Sequence, residues 1–149
     1  MLKLSFPDYQ FRLKNKENKT HIFDPIRKKF VVLTPEEWVR QHTLQFLMIG
    51  LQYPASHINV EKELVINSIR KRYDIVVYSP TGDIHVLVEC KAPQIKINQD
   101  TFDQIARYNM TLNASYLMVT NGLNHYYCTV DHSNESYTYL PQLPSYQQK

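Results

Sequence analysis

Two strand-like segments of this sequence carry charges inside otherwise apolar runs. Tyr73-Asp74-Ile75-Val76-Val77-Tyr78 has a carboxylate near its start, and Val86-Leu87-Val88-Glu89-Cys90-Lys91 ends on an acid and a base. Side chains alternate along a strand, so Glu89 and Lys91 point to one side and Cys90 to the other. Pro80-Thr81-Gly82-Asp83 reads as a turn that folds the segments into an antiparallel hairpin. Asp74 and Glu89 then stand about equally far from the turn and share a face, provided the register does not slip. Such a pair suits a hard cation, Mg2+ or Mn2+, with the Cys90 carbonyl as a further oxygen ligand. Lys91 would position or deprotonate a water, or balance charge developing on a phosphate. A bound metal would lower the pKa of that water. A structural Asp–Lys–Glu ion-pair network would use the same residues, and these positions alone leave both readings open.

The surrounding elements must hold this hairpin in place. Tyr9–Leu13 and His21–Phe23 read as strands around a polar turn at Lys14–Thr20, with a further extended piece at Phe30–Leu33. Thr34-Pro35-Glu36-Glu37 is a helix start: threonine caps, proline takes the first turn and the acids face the positive end of the dipole. That helix runs to Gly50 with Val39, Leu44, Leu47 and Leu51 on its apolar side. Strands follow at about Ile58–Ile66, Lys71–Tyr78 and Asp83–Lys91, and a second helix, capped by Asp100, covers Thr101–Leu112. Ser115–Thr120, Tyr126–Val130 and Ser136–Leu140 complete the strands. The strand–helix–strand unit from Asp83 to Thr120 calls for a parallel pair with a right-handed crossover. The expected fold is therefore α/β, a mixed β-sheet flanked by helices in α-β-β-β-α-β order, with an N-terminal β-hairpin extension. It forms one domain over residues 1–149: an extension at 1–33, a core at 34–131 and a frayed tail at 141–149.

Taken in order, these motifs resemble a known superfamily. Asp74 and Glu89-Cys90-Lys91, behind a helix opening with Pro35-Glu36-Glu37 and ahead of one carrying Gln104, resemble the PD-(D/E)XK phosphodiesterases and their restriction-endonuclease-like core. Thr34–Gln41, Tyr73–Val77, Val88–Pro93, Gln104-Ile105-Ala106-Arg107-Tyr108 and Val119–Gly122 resemble, more narrowly, the N-terminal nuclease domain of type I restriction-enzyme R subunits. The resemblance implies metal-dependent cleavage of a nucleic-acid phosphodiester. Asp74 and Glu89 would be ligands, Lys91 the catalytic lysine, Glu36 or Glu37 a helix carboxylate facing the metal, and Gln104 a residue lining the pocket. Tyr73 stands where the superfamily's name has proline, and no helicase or translocase motor is present in this chain.

Composition sets bounds on these readings. The chain has 149 residues and a net charge of +3, which tolerates a polyanion without demanding one. Arg70 and Arg72 fall on the side of Asp74 and are candidates for phosphate contact, as is Arg40, which also has helical spacing to pair with Glu36 or Glu37. The lysines of residues 14–19 read as a solvated face, Glu61 and Glu63 as exposed, and Cys128 as core. Two cysteines without a CxxC pair, and six histidines without HxH or HExxH spacing, argue against zinc. No apolar run is long enough for a membrane helix, and a cytoplasmic setting is expected. DNA is the expected partner, in a homodimer or a larger restriction-type assembly. The alternative is a non-catalytic nucleic-acid-binding or partner-docking module.

Overall fold

Glu17 and Asn18 both take positive φ, 54° and 63°. That geometry closes a two-residue hairpin whose twist matches its strands, β1 (Leu13–Lys16) and β2 (Lys19–Asp24). The hairpin turn is thus tighter than the polar stretch 14–20 suggested, and Tyr9–Phe11 lie outside the strands. Asp24 Oδ1 accepts the amides of Ile26 and Arg27, both at 2.8 Å, and turns the chain into β3 (Lys29–Val32). β1, β2 and β3 form a separate antiparallel sheet. The structure, a computed structural model, describes residues 1–66 and 68–147.

The helix start behaves as its residues require. Thr34 Oγ1 accepts the Glu37 amide at 3.0 Å and opens α1 (Pro35–Gln45), which continues through a π-helical turn at Phe46–Gly50. After it come β4 (Ile58–Ile66), β5 (Ile69–Tyr78) and β6 (Ile84–Cys90). Helix α2 (Gln99–Asn109) is capped by Asn98, whose Oδ1 accepts the Thr101 amide at 2.8 Å; the expected cap, Asp100, lies within the first turn. Strands β7 (Tyr116–Thr120), β8 (His125–Asp131) and β9 (Ser136–Leu140) finish the sheet. Its order is β4-β5-β6-β7-β8-β9, antiparallel throughout except for the parallel β6–β7 pair on either side of α2. The fold is thus the mixed α/β architecture expected, with a three-stranded N-terminal sheet rather than a simple hairpin.

Each face of the large sheet has its own core. Ile75, Val77, Val86 and Val88 pack with Val39 and Leu44 of α1, whereas Val76, Leu87, Leu117 and Val119 pack with Phe102 and Ala106 of α2. Burying each such aliphatic side chain contributes roughly 1.5–3 kcal/mol before conformational entropy is subtracted. The β4–β5 pair changes faces partway along. Ile58, Val60, Ile75 and Val77 belong to the α1 core, but Leu64 and Tyr73, at the same parity, belong to the α2 core. The switch falls where the ladder lacks a pair, between Val60↔Ile75 and Lys62↔Tyr73. Glu61, in that gap, has a φ of 53°, and Asp74 stands opposite.

Two further contacts fix the ends of the layers. Gly122 has a φ of 86°, and a Cβ there would meet Leu4 Cδ2 at 2.9 Å and Val39 Cγ2 at 3.0 Å, so the Asn121-Gly122 turn can lie against α1 only as glycine. The tail is not frayed over the described residues: Leu143 is buried, the Tyr146 amide donates to Leu51 O at 2.8 Å and Tyr53 Oη to Pro144 O at 2.8 Å. Proline and glutamine lowered the expectation of order, but one buried leucine and these hydrogen bonds tie the segment down; residues 148–149 lie outside the described residues. No described helix is long and apolar enough to cross a membrane.

Candidate active site

Asp74 sits at the point where the β5–β6 ladder opens. Main-chain pairing runs from Tyr78↔Ile84 to Ile75↔Val88 and stops there. Beyond it the Cys90 amide donates to Asp74 Oδ2 at 2.8 Å, so the carboxylate takes a place a main-chain carbonyl would otherwise fill. A strand amide points within the plane of its sheet, which puts Asp74 between the faces rather than squarely on one. Its other oxygen, Oδ1, accepts from Arg40 Nη2 of α1 at 2.9 Å.

Glu89 reaches toward the α2 side. It is 8 % exposed, and Lys71 Nζ stands 3.1 Å from its Oε1. That approach is not along a hydrogen-bonding direction, and Oε1 remains a buried acceptor without a hydrogen-bond partner. Lys71 itself lies over the rings of Tyr73 (4.9 Å) and Tyr108 (4.4 Å). Burial pushes the Glu89 carboxyl up, Asp74 pushes it further, and Lys71 and Lys91 pull only part of the way back. Glu36, half-exposed on the first turn of α1, is also raised, by burial first and then by Asp74, against Arg40 and Lys91. The charges of Asp74 and Lys91 thus act on both Glu36 and Glu89.

A raised carboxyl pKa carries a definite sign. The folded chain binds a proton on Glu89 more readily than the unfolded chain, so an ionised Glu89 lowers stability at neutral pH. Glu89→Gln is expected to raise the urea unfolding midpoint at pH 7. The gain should vanish once the pH falls below the usual carboxylate range, where the wild type is protonated as well. A midpoint that drops at pH 7 would show that the Lys71 pair outweighs burial.

The other expected residues are distributed unevenly. Glu37 is buried and accepts from Arg27 Nη2 (3.0 and 3.1 Å), Arg40 Nη1 (2.6 Å) and Gln41 Nε2 (3.0 Å), so Glu36 is the helix acid left facing the site. Arg40 is 6 % exposed and bonded to Glu37 and Asp74; its guanidinium lies inside the fold, not on a surface offered to nucleic acid. Arg70 and Arg72 are exposed, Arg70 lying 3.6 Å from Glu63. Gln104 is exposed on α2, one helical turn before Tyr108 and so on the side that carries Lys71. Glu61, expected to be solvated, pairs with Arg27 at 3.2 Å and Arg40 at 3.6 Å. Lys71 and Glu61 escaped sequence reading; only the basic run at 70–72 hinted at the first.

The donor set suits a hard cation in kind: carboxylate oxygens, one of them, Glu89 Oε1, buried and paired only with Lys71 among the described residues. Among the described residues, no three His, Cys, Asp or Glu side chains cluster as a ready-made metal cage. A cavity of about 600 Å3, lined by Tyr53, His85, Tyr116 and Tyr146, lies at the far end of the β5–β6 hairpin beside Ser79–Thr81. That cavity is separate from the carboxylates of the candidate site, which lie between two interior strands of the sheet.

Comparison with known proteins supplies the family. The model of the type I restriction enzyme R protein N terminus (HSDR_N) matches residues 35–144. Among solved structures, a fragment of a putative HsdR subunit of a type I restriction enzyme from Vibrio vulnificus YJ016 superposes with a TM-score of 0.51 at 17% identity. The alignment covers 76% of this chain and 24% of that one, so this chain spans about a quarter of its solved relative. No curated protein matches. The matched segment takes in α1, the hairpin with Asp74 and Glu89, α2 and the sheet as far as Pro144, and on that ground the chain belongs to the type I restriction enzyme R protein N-terminal family.

Proposed function

We propose that this domain is a metal-dependent nuclease of the PD-(D/E)XK kind that hydrolyses DNA phosphodiesters within a restriction or defence system. The observation that carries the reading is the opened end of the β5–β6 ladder, where the Asp74 carboxylate takes the Cys90 amide one residue from Glu89 and next to Lys91 in sequence. Amide and carbonyl of one strand residue leave on the same side, so the Cys90 carbonyl is aimed at the gap its amide shares with Asp74. Asp74, Glu89 and that carbonyl would hold Mg2+ or Mn2+. Two carboxylates suffice, because magnesium usually keeps waters and takes substrate phosphate as further ligands. When bound, the metal supplies Lewis-acid activation of phosphate and water. Lys91 balances negative charge on the phosphate or relays a proton from the attacking water, and Glu36 faces the same opening.

The alternative of a non-catalytic module is favoured by one contact, the Arg40–Asp74 pair at 2.9 Å, which gives Asp74 a cation of its own. The decisive measurement incubates plasmid and single-stranded DNA with Mg2+ or Mn2+ and compares wild type with Asp74→Ala. Metal-dependent cleavage by the wild type alone supports a nuclease. Equal, background-level loss of substrate with both proteins removes the catalytic reading and leaves the binding module.

A further inference from the structure

The positive charge of this chain is concentrated ahead of the segment that carries the family match. Residues 1–33 hold eight lysines and arginines against three acids, while the rest of the chain holds nine against eleven. The three-stranded sheet sorts those charges by face. Register places Lys14 opposite His21, His21 opposite Val32, Lys16 opposite Lys19 and Phe23 opposite Phe30. Cross-strand partners share a face, so Arg12, Lys14, Lys16, Lys19 and His21 stand together with two phenylalanines. The opposite face carries Ile22 and Asp24, both fully buried, and is packed against the body.

The cations on the outer face are arranged, not merely present. The Arg12 guanidinium lies 4.6 Å from the Phe23 ring centroid and 5.5 Å from that of Phe30, and Lys14 Nζ lies 4.2 Å from that of Phe30. The rings hold the two side chains in a row, which lowers the ordering cost of meeting an anion. Arg12, Lys14, Lys16 and Lys19 are exposed, and among the described residues none forms an ion pair.

A chain of contacts fixes this sheet relative to the candidate site. Asp24 at the end of β2 binds Arg27 at 2.7 Å, Arg27 binds Glu37, Glu37 binds Arg40, and Arg40 binds Asp74. We infer that the outer face of the N-terminal sheet is a second nucleic-acid contact, gripping the phosphate backbone of a strand that lies across the candidate site. Its choice of occupant rests on the nuclease reading. Because the two rings are already covered by cations, the face is suited to phosphates rather than to stacked bases, and recognition is independent of sequence.

Binding is tested without cleavage, by anisotropy of fluorescein-labelled duplex and single-stranded oligonucleotides in EDTA. Lys14→Glu combined with Lys16→Glu is compared with an equal charge change elsewhere, Lys3→Glu combined with Lys62→Glu, after circular dichroism confirms that both are folded. The sheet variant should lose about tenfold or more in affinity, with a salt dependence shallower by about one unit per lysine removed. The two oligonucleotide arms tell duplex from single strand. Equal affinities for the sheet variant and the control variant overturn the inference, as does binding to anionic vesicles with none to either oligonucleotide. Magnesium-dependent cleavage, followed in parallel, separates the two proposals. A wild type that binds through this face without cutting removes only the nuclease reading, and one that cuts with the sheet variant unimpaired removes only this one.

Discussion

Lys91→Ala is expected to lower the rate of magnesium-dependent DNA cleavage by about a hundredfold or more while leaving the unfolding midpoint nearly unchanged. Its main chain is pinned independently of the side chain, since the Lys91 amide donates to Thr120 O at 2.8 Å. The side chain is partly exposed, and among the described residues it makes no ion pair closer than 4 Å, yet its charge reaches both Glu36 and Glu89. Lys71 is the competitor. It stands beside Glu89 and lies against Tyr73 and Tyr108, an arrangement that holds the carboxylate rather than offering a charge to substrate. Single-turnover cleavage by Lys91→Ala and Lys71→Ala separates the roles. Lys71→Ala should weaken metal binding, raising the Mg2+ concentration required. If Lys71→Ala abolishes cleavage at saturating Mg2+ and Lys91→Ala does not, the role assigned to Lys91 passes to Lys71.

The parts of this arrangement that were legible in the sequence are those set by neighbours along the chain. Thr34-Pro35 announces a helix because cap and first-turn geometry are local, and the spans of β4 and β9 follow from runs of strand-forming residues between turn signals. The antiparallel β5–β6 hairpin was legible too, although its register shifts between Val77 and Tyr78 and its pairing ends at Ile75↔Val88, one step short of Asp74 and Glu89. What alternation could not give is how the two carboxylates are held. Glu61 adopts a φ of 53° opposite Asp74, and a glutamate carries no mark that it will do so, as glycine or asparagine would. The faces therefore swap at the very residue whose orientation matters, and Asp74 turns to a strand amide and to an arginine 34 positions earlier. The environments of Arg27 and Glu61 were illegible for the same reason: their partners are brought together by the docking of one sheet on a helix, not by spacing.

That docking yields a large expected stability effect. Glu37→Ala removes the one acceptor shared by Arg27, Arg40 and Gln41, and leaves two guanidiniums facing each other with side chains only 17% and 7% exposed. Breaking a buried pair from one side costs about 3–5 kcal/mol when the partner charge is left alone, and since Arg27 keeps Asp24 and Arg40 keeps Asp74 the loss should fall at the lower end, about 3 kcal/mol. Glu36→Ala, on the same turn but half-exposed and 3.5 Å from Arg40, should cost no more than about 1 kcal/mol. Urea unfolding of the two variants makes the comparison, and equal losses would mean that the network does not hold the N-terminal sheet to α1. Acid supplies an independent check through Asp24. Burial pushes its carboxyl up, but hydrogen bonds from the Arg27 amide, the Arg27 guanidinium and Gln41, together with the Arg27 charge, hold it below the usual range. A carboxyl depressed in the folded state stabilises at all pH values above its unfolded pKa of about 4 and loses that contribution as pH falls through the folded value. Wild-type stability should therefore decline below about pH 4 more steeply than that of Asp24→Asn, whose side chain has no proton to gain. In Glu37→Ala the acid-sensitive step should persist, since Asp24 keeps Arg27 and Gln41, and its disappearance would show that Glu37 is what keeps Arg27 on Asp24.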